Sequence, residues 1–235
     1  MKKRGAAHIE MITAFVLFFG FVFFLLLILK PYETTSISET VVSGVHDSFE
    51  KQTRTNLTQV FLMADAGDFS GDCFYVIFPQ EIFNQDLSLS RSYVTDLGGM
   101  KFDSRLFSGQ LNIKDSGNAR YYRVYLSPDF PDDSSVSGCV LPEDYTLGGI
   151  VEQQIISYNK LIEMSGKYYE DYDLLKRELR VPEVYDFLIV VGGIGEADME
   201  IFVPPEGDVI ANEYIAEVLY PNGTIVTTDV SIKVW

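Results

Sequence analysis

Few residues in this chain are of types that carry chemistry. Its 235 residues include two histidines, His8 and His46, and two cysteines, Cys73 and Cys139. Two imidazoles cannot build a multi-histidine metal site, and no Gly-x-Ser-x-Gly elbow is present to expose a nucleophilic serine. Gly193-Ile194-Gly195 follows an expected strand, as a dinucleotide loop would. Such a loop must open a helix, and residues 199–203 read instead as a strand before Pro204-Pro205, so a turn is expected. Asp65, Asp68 and Asp72 crowd one loop with oxygen ligands of the kind Ca²⁺ takes, without the glycine and distal glutamate of an EF-hand. A solvated acidic turn is the plainer reading. The expectation is a protein that is not an enzyme, with no catalytic, cofactor or metal site.

The cysteines allow one bridge, Cys73 to Cys139, if the domain lies in an oxidising compartment. Closing a loop of that length contributes about 4 kcal/mol at most. In a reducing compartment they are two buried thiols. Asn56-Leu57-Thr58 and Asn222-Gly223-Thr224 are candidate glycosylation acceptors, in keeping with export.

The element that must position everything else is at the start. Residues 11–29 form an apolar run in which Thr13 alone is polar, closed by Lys30-Pro31. At the helical rise it spans roughly 28 Å, close to a bilayer's hydrocarbon thickness, so a single transmembrane helix is expected over residues 6–30. Lys2, Lys3 and Arg4 precede the run, which puts the N-terminus in the cytoplasm and the rest outside. A secretory signal peptide would have a shorter apolar region and a small-x-small cleavage site. Here the run ends in Lys30-Pro31-Tyr32-Glu33. Glu10 sits at the edge of this run, where a carboxylate needs water or a partner.

Lys3-Arg4-Gly5, then Ala6, then Glu10 before the apolar run resembles the class III signal peptide of type IV pilins and archaellins. The resemblance covers about the first 30 residues. It implies cutting between Gly5 and Ala6 by a prepilin-type peptidase. It also implies that Glu10 neutralises the new N-terminal amine of a neighbouring subunit as helices bundle into a filament. The implied partners are membrane lipid, that peptidase, and copies of the chain or related subunits, and the implied location is the cell membrane or a surface filament. The alternative is a single-pass anchored extracytoplasmic domain that binds or scaffolds without assembling.

Net charge is −16, becoming −19 if residues 1–5 and their three basic side chains are lost. Such a surface repels phosphate backbones, which argues against a nucleic-acid partner. An aromatic content of 14% opposes disorder. The expected organisation is a leader at residues 1–5, the transmembrane helix, and an α+β ectodomain over residues 31–235, with a possible subdivision near 147.

Within that ectodomain, Ser36-Ile37-Ser38-Glu39 has capping-box spacing. Ile37, Val41, Val45 and Phe49 then recur every four residues, which predicts a helix to about Gln52. Strands are expected over 55–64, 73–78, 93–95, 110–113, 121–126, 150–156, 185–191 and 199–203. A second helix, capped by Ser157, is expected to run to about Arg180. The chain should close with a hairpin, 214–220 and 224–234, around Pro221-Asn222-Gly223. This order of elements argues for α+β with a mostly antiparallel sheet and two helices.

Overall fold

The computed structural model describes the backbone except residues 1–3, 29–34, 65–71, 85, 116–119, 132–135, 137, 143, 198, 200–203 and 206, and omits the side chains of 4–10, 26–28 and 35–38. The chain divides into two compact units, Met1–Val41 and Val42–Trp235.

The first unit holds helix α1, Arg4–Ile28, and the start of helix α2, Thr35–Thr53. Side chains from Met11 to Phe24 are largely exposed, Met11 at 73% and Leu17 at 69%. The expected transmembrane helix is corrected here: among the described residues, no helix is long and apolar enough to cross a membrane.

The second unit is α+β and dominated by a ten-stranded sheet in the order β2-β5-β4-β3-β6-β1-β7-β9-β10-β8. The strands are β1 (Arg54–Ala64), β2 (Cys73–Ile77), β3 (Arg91–Asp96), β4 (Lys101–Phe107), β5 (Gln110–Lys114), β6 (Tyr121–Ser127), β7 (Tyr145–Ser157), β8 (Phe187–Val191), β9 (Ile210–Leu219) and β10 (Ile225–Val234). Apart from the β7–β9 pair and an isolated Phe74–Val140 bridge, every described pairing is antiparallel. Residue 147, where a subdivision was considered, lies inside β7.

Alternation decides which face of each strand is buried. On β1, Val60, Leu62 and Ala64 point into a core shared with Phe74 and Val76 of β2, Leu111 and Ile113 of β5, and Tyr122, Val124 and Leu126 of β6. The opposite face of β1 contributes Leu57 to a smaller cluster with Phe130, Ile155 and Leu219. β1 and β7 slip register between Val60 and Leu62. Gly148 sits there because a Cβ would lie 3.3 Å from the Phe61 carbonyl oxygen and 3.2 Å from its Cβ.

Among the described residues three α-helices, not two, follow α1. Of the expected stripe in α2, Val45 and Phe49 are buried and Val41 is half-buried, with Val42 buried beside it, while the Ile37 side chain lies outside the described set. The second expected helix is two: α3, Tyr158–Glu170, and α4, Tyr172–Glu178. Asp171 makes the break, ending α3 in a non-helical conformation (φ −149°) while its carboxylate accepts from the Leu174 N–H at 3.0 Å and caps α4. Both helices pack on β8 through aromatic rings, with Tyr172 stacked on Phe187 at 5.3 Å and Tyr168 edge-on to it at 5.7 Å. β4 was absent from the sequence reading. It joins β5 through Ser108 (φ 51°) and Gly109 (φ 78°), a two-residue turn with both central φ positive. The strand expected over 199–203 lies outside the described residues save Met199, which is buried and not in a strand.

Candidate functional site

The residues singled out by sequence fall in separate places. Gly5, Ala6 and Glu10 lie on the backbone of α1 with side chains outside the described set. Cys73 and Cys139 are joined in a disulfide with Cα atoms 4.9 Å apart. That bridge is reinforced by backbone, because the Val140 N–H donates to the Cys73 carbonyl at 3.3 Å and the Tyr75 N–H to the Val140 carbonyl at 3.0 Å. Asn56, on β1, and Asn222, in the β9–β10 turn, are both exposed. Of the acidic loop, Asp72 alone is described, and it is exposed. Among the described residues no three His, Cys, Asp or Glu side chains gather to hold a metal. Gly193 (φ 73°) forms a turn, closed by the Ile194 N–H on the Val191 carbonyl, and among the described residues no helix opens after it before β9.

His46, selected from the sequence only as a histidine on a helix, sits in a cleft. α2 leads directly into β1, so His46, Glu50 and Arg54 are stacked one turn apart, and they face β9, which returns from far along the chain. The cleft, about 490 Å³, is lined by these three with Gln154 to Ile156 of β7 and Tyr214 to Glu217 of β9. It exists because β7 and β9 pair only at Ile156–Val218 and Ser157–Leu219 and have no other described ladder contact with each other.

Its polar groups are mutually constrained. Arg54 Nη2 donates to Glu50 Oε1 at 2.6 Å, and His46 Nε2 lies 3.8 Å from the same oxygen. The imidazole meets the Tyr214 ring edge-on at 4.6 Å. The Tyr214 hydroxyl is buried without a hydrogen-bond partner among the described residues. Burial, and then the nearby Glu50 carboxylate, push its ionisation well above the ordinary phenol range, with Arg54 opposing. The arrangement presents hydrogen-bonding and charged groups to an occupant, with Glu50 already held by Arg54. Sequence reasoning placed His46 on a helix and missed the rest, since no local spacing links residue 50 to residue 214.

Comparison of this chain with family models, curated proteins and solved structures finds no match.

Proposed function

We propose that the chain is a pilin-like subunit, cut between Gly5 and Ala6 by a prepilin-type peptidase and assembled through α1 into a surface filament with copies of itself or related subunits. The observation carrying this reading is the coincidence of the Lys3-Arg4-Gly5-Ala6…Glu10 pattern with a helix whose apolar side chains are exposed on every face. One apolar stripe would suit a single groove, whereas a helix apolar all round is covered only by several neighbours. Covering each Leu or Phe contributes about 1.5–3 kcal/mol. A bundle of like helices supplies that cover, and it gives Glu10 the freed amine of an adjacent subunit as a cation. The Cys73–Cys139 bridge agrees with a head exposed to an oxidising compartment.

The test is intact mass and N-terminal sequence of the protein purified from its own cells, together with Glu10→Gln. The expected mature chain begins at Ala6, and Glu10→Gln is expected to accumulate normally while losing filaments by electron microscopy. An uncut chain of residues 1–235 would end the reading and leave a non-assembling surface domain in its place.

A further inference from the structure

One edge of β9 is largely without a strand partner among the described residues. Along its whole length β9 pairs with β10, from Ile210–Val234 to Leu219–Ile225. On its other side, among the described residues, it pairs with β7 only through Val218 and Leu219. Which backbone groups face that open side follows from the hairpin. The Tyr220 N–H donates to the Thr224 carbonyl at 2.9 Å, so Tyr220 and Thr224 are a hydrogen-bonded pair. In an antiparallel ladder such pairs alternate, which commits the even-numbered residues of β9 to β10. Ala211, Glu213, Ile215 and Glu217 therefore turn their N–H and C=O groups toward the cleft.

The period-two pleat also places the side chains of those four residues on one face. All four are exposed, Ile215 at 72%. Glu213 and Glu217 flank Ile215, and among the described residues neither has an ion-pair partner. The adjoining cleft of about 490 Å³ is in the size range of ligand pockets, roughly 300–1,000 Å³.

We infer that this edge docks an extended strand of a partner protein with a Lys/Arg at one position, an apolar residue two further on, and a second Lys/Arg two beyond that. The added strand completes the backbone ladder, sets its cations opposite Glu213 and Glu217, and covers Ile215 with its apolar residue. The occupant is a different protein and not a second copy. Nowhere in the 235 residues do two Lys/Arg four positions apart bracket an apolar residue midway, and the copies carry the same net charge of −16.

The probe is the capped peptide Thr-Lys-Thr-Val-Thr-Lys-Thr, added to the full chain held in mild detergent and followed by backbone amide exchange and NMR shifts. Protection is expected at Ala211, Glu213, Ile215 and Glu217, together with affinity that falls as salt is added. Ile215→Pro removes one edge N–H that β10 does not use, as edge strands tolerate, and is expected to weaken binding about tenfold, one hydrogen bond's worth. Unchanged protection of the even-numbered amides in that variant shows that the hairpin persists. Glu213→Lys with Glu217→Lys alters no backbone group and is expected to abolish binding, as is exchange of the peptide's lysines for glutamates. Binding undiminished by Ile215→Pro, binding that survives the charge exchange, protection at other strands, or no protection at millimolar peptide would each overturn the inference. Concentration-dependent self-association lost in Ile215→Pro would overturn it too, making a second copy the occupant.

Discussion

Replacing Cys73 and Cys139 together by serine tests how the second unit is stabilised. The bridge joins residues 66 apart in sequence. That span contains β2 through β6, so the cross-link restrains half the sheet in the unfolded chain. Chain-entropy arithmetic for a loop of this size gives about 4 kcal/mol at 25 °C. At about 2–4 °C per kcal/mol for a unit of this size, Tm should fall by roughly 8–16 °C. The native geometry should survive, because the Phe74–Val140 bridge and its two backbone hydrogen bonds hold the same segments without the sulfurs. The assay is urea and thermal unfolding by circular dichroism on oxidised wild type and the double variant. If the effect acts through the unfolded state, the urea m value rises as the denatured chain expands. A Tm change below about 3 °C with an unaltered m value would refute the reasoning.

Two further outcomes follow from particular contacts. Gly223 has φ 78°, and a Cβ there would run into the Tyr93 ring. Gly223→Ala should therefore cost about 1–3 kcal/mol in urea unfolding, with part of the loss recovered by adding Tyr93→Ala. Tyr214 keeps its proton when folded at pH values where the unfolded chain has released it, since its ionisation is raised by burial and by Glu50. The folded state then binds more protons above about pH 10, so stability falls as pH rises through that region. Tyr214→Phe should show a shallower alkaline loss, and stability at pH 7 equal to or above wild type because the hydroxyl has no partner among the described residues. Equal pH slopes for the two proteins would refute this.

Local signals in the sequence were read correctly where one local force decides the structure. The four-residue stripe through Val45 and Phe49, the Ser157 cap and the Pro221-Asn222-Gly223 turn each depend on neighbours within a few residues. The Cys73–Cys139 bridge was legible because it was the sole pairing available. β4 was missed because its pattern, Lys101 to Phe107, buries only Ser104 and so shows no apolar alternation, although the Ser108-Gly109 turn was a usable signal. β7 was started late because Gly148 and Gly149 resemble a turn, whereas Gly148 makes room for the Phe61 backbone. The helix break at Asp171 was hidden by an apolar face that continues in register through Leu175. The length and apolar composition of the N-terminal run suggested a membrane span, whereas among the described residues no helix is long and apolar enough to cross a membrane. The cleft was illegible, because residues 46–54 meet residues 154–156 and 214–217 there, three segments far apart along the chain.

The position of β8 sets the order in which this protein can be made. Its residues Phe187 to Val191 are apolar throughout, and four of the five are fully buried. Among the described residues its strand partner is β10, with Phe187 opposite Val234 and Val191 opposite Val230. During synthesis the ribosome therefore releases a short, charge-free β-former well before the strand that covers it exists. Until Val230 to Val234 emerge, α3 and α4 can cover one face of β8, but no strand can satisfy its edge. A segment of that composition with open edges is prone to pair with other chains. Holding the nascent chain unfolded until β10 is complete, by a chaperone or by export, would remove that hazard.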